Sequence, residues 1–119
     1  MPLVSIHMYA GHTPEYKKQV LDCVHNGLVE ALGIEDWDRF QRINEYHEDV
    51  FETPAGKTAH FMIVECTLFP GRSKEQKRNA IEAITSKLCD TLNIAATDVF
   101  IVMHEPPLEN WGMGGVQKG

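Results

Sequence analysis

Cysteine is scarce in this chain. Cys23, Cys66 and Cys89 form neither a CxxC pair nor an even-numbered framework, so a disulfide-stapled scaffold is excluded. The spacing predicts reduced, mostly buried thiols in a cytoplasmic protein. Basic charge is short as well: 11 Lys and Arg face 17 Asp and Glu, a net charge of −6. Nucleic-acid binders ask for a basic stripe, so that partner class is set aside. Small anionic ligands remain open, because one or two arginines can dominate a pocket. No apolar run reaches membrane-spanning length, and no basic segment leading into an apolar one opens the chain, so no membrane partner is expected. The 6 histidines lack H-x3-H or Cys/His ligand spacing, so no metal site is expected. A nucleophile elbow, a P-loop and a dinucleotide fingerprint are also missing, and no cofactor is expected.

What the chain does have is a repeat. When residue n is laid over residue n+60, Gly11 meets Gly71, Thr13 meets Ser73, Glu15 meets Glu75 and Lys17 meets Lys77. Further along, Leu28 meets Leu88, Leu32 meets Leu92, Ile34 meets Ile94, Asp38 meets Asp98 and Phe40 meets Phe100. Self-similarity of this kind marks a duplicated supersecondary unit. The copies differ at their starts: the second opens inside the chain at Met62-Ile63-Val64, the first at Met1-Pro2-Leu3. Met before a small residue is normally trimmed, which would leave Pro2 as a free secondary amine.

Each copy reads as strand, helix, strand. Leu3 to Tyr9 is a short apolar strand, interrupted by Ser5 and His7 on alternate positions. Thr13 is an N-cap with Pro14 at the first helical position, where its missing N–H costs nothing. Tyr16, Val20, Val24 and Leu28, with Leu21 and Leu32 nearby, form a stripe at helical spacing, and Gly33 ends the helix. Phe40 to His47 is the second strand. In the second copy His60 to Phe69 reads as a strand, Ser73 and Gln76 form a capping box, Ile81, Ile84, Leu88 and Leu92 carry the apolar face, and Val99 to His104 is the fourth strand. The first unit spans about 2–48 and the second about 60–105. Asp49 to Thr58, with Pro54-Ala55-Gly56-Lys57, is the turn between them. The tail, 106–119, is rich in Pro and Gly without periodicity and reads as irregular. Two right-handed βαβ units in a single domain give an α+β fold. Its four-stranded mixed sheet carries both helices on one face. The other face needs a cover, most simply further copies of the same chain.

Several residues could carry chemistry. Pro2 can simply begin a strand, where an absent N–H is tolerated. As a free amine it titrates near 8 in peptides, and burial lowers that value. Such a base can take protons from carbon next to a carbonyl, and a secondary amine can also attack a carbonyl. Arg72 sits at the start of the second helix, where cations are mildly disfavoured, and its counterpart in copy one is His12. An anion there would meet both the guanidinium and backbone N–H groups. Asp38 and Arg39 can form a turn with a surface ion pair. Alternatively, Asp38 orients a water or polarises a group near Pro2, with Arg39 as a further contact to substrate. Trp111, in Asn110-Trp111-Gly112-Met113-Gly114-Gly115, can pack against a neighbouring subunit, line a pocket, or do both.

Together, Pro2-Leu3, Asp38-Arg39-Phe40-Gln41, Arg72-Ser73-Lys74-Glu75-Gln76-Lys77, Asp98-Val99 and Asn110-Trp111 resemble the tautomerase superfamily, and its malonate semialdehyde decarboxylase-like branch in particular. The resemblance covers nearly the whole chain and rests on the order and spacing of these segments. It implies a tautomerase-type duplicated βαβ fold assembled as a homotrimer. Pro2 matches the catalytic amino-terminal proline, Asp38 the acid of the decarboxylase branch, and Arg72 the second of two arginines that grip the substrate carboxylate. The first of that pair falls on Pro70. Trp111 matches an aromatic of the pocket wall, and Met113 stands where the branch has a larger aromatic. These departures leave the proline chemistry intact and weigh against decarboxylation of malonate semialdehyde.

The leading expectation is a cofactor-free tautomerase of small 2-oxo or enol acids, such as phenylenolpyruvate, with Pro2 as general base and Arg72 on the carboxylate. A second is a decarboxylase or hydratase of a 3-oxo acid such as malonate semialdehyde, using protonated Pro2 and Asp38. A third is a non-catalytic trimeric scaffold with a vestigial pocket. A retained Met1 would turn the Pro2 nitrogen into an amide and remove the base.

Overall fold

The duplication sets the architecture. A computed structural model describes residues 2–119. In it β1 (Leu3–Tyr9), α1 (Pro14–Leu32) and β2 (Phe40–Tyr46) form the first unit. The second consists of β3 (Met62–Thr67), α2 (Lys74–Leu92) and β4 (Val99–His104). The sheet order is β2-β1-β3-β4. Each unit pairs its own strands in parallel, and β1 meets β3 antiparallel at the centre. This is the α+β fold with a four-stranded mixed sheet that the repeat leads one to expect.

The helix ends follow local chemistry. The Thr13 hydroxyl accepts from the Tyr16 N–H, and Pro14 opens α1. At the matching place in α2, Ser73 and Gln76 cap each other reciprocally. Gly33 and Asn93, sixty residues apart in the repeat, end the two helices with φ of 66° and 56°. Both lie in the left-handed region that glycine and asparagine tolerate best.

Both helices lie on one face of the sheet. Val4, Ile6 and Met8 of β1 and Met62, Val64 and Cys66 of β3 point into that layer and are fully buried. Against them pack Val20, Val24 and Leu28 of α1 and Ala80, Ile84 and Leu88 of α2. The helices touch where α1 has a glycine: a Cβ on Gly27 would lie 2.7 Å from Ile84 Cγ1 and 2.9 Å from the Ile84 nitrogen. Among the described residues no helix is long and apolar enough to cross a membrane.

The structure corrects four local expectations. First, β2 stops at Tyr46, because the His47 ring accepts from the Asp49 N–H and caps a 3-10 turn over Glu48–Val50. Second, β3 begins at Met62 instead of His60 and ends at Thr67 instead of Phe69. Thr58 draws the chain before it into a turn, its hydroxyl accepting from the His60 N–H and its carbonyl from the Phe61 N–H. Third, Ile81 is 41% exposed and lies off the buried face of α2, where Ala80 takes the inward position. Fourth, the tail is ordered: Leu108–Asn110 is a 3-10 turn, and β5 (Gly112–Met113) pairs antiparallel with β6 (Val116–Gln117). Gly114 and Gly115 between them have φ of 60° and 81°. Two successive positive φ values are what a two-residue hairpin turn requires.

Candidate active site

Strand directions bring distant segments to one end of the sheet. Leu3 pairs with Phe40 on β2 and with Thr67 on β3. Because β2 is parallel to β1, the Asp38-Arg39 segment preceding Phe40 arrives at the end where Pro2 stands. Because β3 is antiparallel to β1, the turn that follows it, with Phe69 and Arg72, comes to the same end. Thr67 pairs with His104, so the tail after β4 starts there too.

Pro2 is buried within the single chain. Asp38 is 7% exposed. Arg72 is half-buried and donates from Nη1 to the Phe69 carbonyl at 3.4 Å. Lys77 of α2 forms an ion pair with Glu105, tying the start of that helix to the end of β4. Arg39 is not gathered with these groups. Its Nη2 donates to Asp22 Oδ1 on α1 at 2.8 Å, so its ion pair is with Asp22 instead of Asp38. This hydrogen bond holds the Asp22 carboxyl below its ordinary pKa against the opposing effect of burial, with a further contribution from Lys18.

The tail supplies an aromatic wall. The Trp111 Nε1–H donates to the Pro106 carbonyl at 3.1 Å, and its ring stands edge-on to Phe69 with centroids 4.6 Å apart. Phe69, Trp111, Met113, Val116 and Lys118 line a cleft of about 300 Å³. Met113 is 63% exposed on its rim. Phe69 is a member that sequence reasoning missed; its place one residue past the cross-strand neighbour of Pro2 follows only from the β1–β3 register.

The opposite end of the sheet carries the duplicated counterparts in different employment. Asp98, the mate of Asp38, accepts from the Thr58 N–H at 2.9 Å and from its hydroxyl, closing the turn between the units. His12, the mate of Arg72, stacks on Tyr16 with centroids 4.2 Å apart, and its Nε2 lies 3.2 Å from the Ala59 carbonyl. Burial, and secondarily the Asp98 charge, pushes the Tyr16 hydroxyl above its ordinary pKa. The mate of Pro2 is Met62, the first residue of β3, which lies within the chain and has no free amine.

The uncovered sheet face carries a further polar chain that the sequence did not disclose. The Tyr46 hydroxyl lies 2.9 Å from His7 Nδ1, and His7 Nε2 lies 2.7 Å from Glu65 Oε2. The second Glu65 oxygen lies 3.1 Å from His104 Nε2, so the chain links all four strands. The His104 bond, then the His7 bond, holds the Glu65 carboxyl below its ordinary pKa, outweighing a smaller effect of burial.

The strand directions thus carry Pro2, Asp38 and Arg72 to one end of a duplicated βαβ sheet. Known families share this framework. One family model, described as tautomerase enzyme, matches residues 38–114, and a second of the same description matches residues 2–52. The chain therefore belongs to the tautomerase superfamily, in its malonate semialdehyde decarboxylase-like branch. The probable tautomerase YusQ of Bacillus subtilis (strain 168) is 27% identical over 119 residues, covering 96% of this chain and 94% of that one. The structure of FG41 malonate semialdehyde decarboxylase inhibited by 3-bromopropiolate is 30% identical with a TM-score of 0.83, covering 94% of this chain and 88% of that one. A fused 4-OT, solved as an asymmetric trimer, shares the fold with a TM-score of 0.87 at 18% identity, covering 98% of this chain and 95% of that one.

Proposed function

We propose that the protein is a cofactor-free tautomerase of small 2-oxo and enol acids, with the amine of Pro2, freed of Met1, as general base. The observation that carries this reading is the arrival of Pro2, Asp38 and Arg72 at one end of the sheet through two separate strand pairings. With an enol acid such as phenylenolpyruvate, the neutral amine accepts the proton of the enol hydroxyl. The oxygen lone pair then forms the carbonyl, and the C=C electrons take a proton at the adjacent carbon, returned from the prolinium. Arg72 binds the carboxylate and offsets negative charge on the enolic oxygen. Asp38 orients the amine and its proton.

The working unit in this reading is a homotrimer. Leu3, Phe40, Phe100 and Val102 leave large apolar side chains exposed on the uncovered sheet face, at 37%, 41%, 61% and 38%. Further copies of the chain would cover them.

A second reaction is favoured by one specific feature. Asp38 is a buried acid beside Pro2, and the relative that is 30% identical is a malonate semialdehyde decarboxylase. Decarboxylation or hydration of a 3-oxo acid would use a protonated Pro2 with Asp38 as its partner. Assay of Met1-trimmed protein against phenylenolpyruvate and malonate semialdehyde separates the two readings. Enol-acid turnover exceeding 3-oxo-acid turnover is expected. The reverse order would make the decarboxylase the main activity, and no turnover of either, in trimeric protein, would leave the scaffold.

A further inference from the structure

Phe69 is contacted by two cations. Arg72 Nη1 donates to its carbonyl at 3.4 Å, and Lys118 Nζ lies 5.2 Å from its ring centroid. Lys118 is held in place by its own backbone: its N–H donates to the Trp111 carbonyl at 2.8 Å, while the neighbouring Gln117 side chain donates to the Glu109 carbonyl at 2.8 Å. The residue therefore belongs to the ordered hairpin and not to a loose end. Lys17, Lys18, Lys77 and Lys87 each face a carboxylate. Among the described residues Lys118 faces none, and its ammonium sits near an aromatic ring, in a cleft lined mainly by Phe69, Trp111, Met113 and Val116, with Gln117 beside it. A cation at the edge of an apolar cleft suits an anion that carries an apolar body.

We infer that Lys118 is a specificity-determining binding residue that, together with Arg72, holds the carboxylate of a 2-oxo or enol acid whose aryl group lies on Trp111 and Phe69. Pro70, where the resemblance places an arginine, offers no cation, and Lys118 reaches the same neighbourhood from the carboxyl-terminal hairpin. The aryl group fills the cleft, and the two cations fix which end of the molecule faces Pro2.

This inference rests on the enol-acid reading for its ligand class, and calorimetric titration of the full chain tests it without turnover. The probes are phenylpyruvate and its uncharged methyl ester, against wild type, Lys118→Met and Lys118→Arg. Loss of a charge-assisted contact should weaken phenylpyruvate binding about tenfold or more in Lys118→Met. The ester should bind wild type and Lys118→Met alike, and Lys118→Arg should restore most of the acid's affinity. Phenylpyruvate binding unchanged in Lys118→Met, equal weakening for acid and ester, or no binding to wild type would each overturn the assignment. In active protein the same variant should raise KM and leave kcat nearly unchanged. Expected binding behaviour in a protein that turns over no enol acid would defeat the tautomerase reading and leave Lys118 in its role.

Discussion

At the scale of single residues, duplication shows what each position is free to do. The repeat gives Asp38 and Asp98 the same address, yet Asp98 is bound by Thr58 in closing a turn, while Asp38 is buried at the end of the sheet where Pro2 stands. His12 and Arg72 also share an address, and His12 is used in a stack with Tyr16. Arg72 makes no ion pair among the described residues, and its bond to the Phe69 carbonyl is long at 3.4 Å. Its removal should therefore cost the fold little. Arg72→Ala should lower kcat/KM for anionic enol acids by about 2–4 kcal/mol of transition-state stabilisation, while the thermal midpoint stays near that of wild type. Steady-state kinetics and a melting curve on the same preparation check this, and unchanged kcat/KM in folded protein would remove Arg72 from the site.

At the scale of elements, most of the fold was legible because its signals are local. Thr13-Pro14, the Ser73–Gln76 capping box and Gly33 each mark a helix boundary through a short-range hydrogen bond or a backbone preference. The misplaced strand ends have local causes of a less regular kind, in the side chains of His47 and Thr58. The tail hairpin is carried by two adjacent glycines, a signal hidden by the low periodicity around them. The Tyr46–His7–Glu65–His104 chain and the place of Phe69 beside the site depend on the register of separate strands, which single-sequence patterns do not fix. The helix contact at Gly27 is likewise tertiary. Gly27→Ala should gain a little helix propensity but force Ile84 and its backbone away, for a net loss of about 1–3 kcal/mol. Urea unfolding measures it; a stabilised variant would mean that the two helices separate freely at this point.

At the scale of the whole molecule, one layer of helices covers one face of the sheet and leaves the other to partners. That face combines exposed apolar side chains on β1, β2 and β4 with the polar chain that crosses all four strands, a pattern suited to a wet, specific interface more than to open solvent. Sedimentation at micromolar concentration should give a homotrimer, and a stable monomer would contradict both that assembly and any site completed between subunits. The central claim concerns the nitrogen of Pro2. An amide nitrogen has no lone pair to offer a proton, so the state of Met1 decides whether the base exists. Pro2→Ala keeps a primary amine and should slow the reaction without abolishing it. The rate of trimmed enzyme should rise with pH as the amine loses its proton. The most direct measurement pairs intact mass with enol-acid turnover in preparations that differ only in Met1. Turnover confined to the trimmed fraction is expected, whereas equal turnover by fully Met1-bearing protein would contradict the proline mechanism outright.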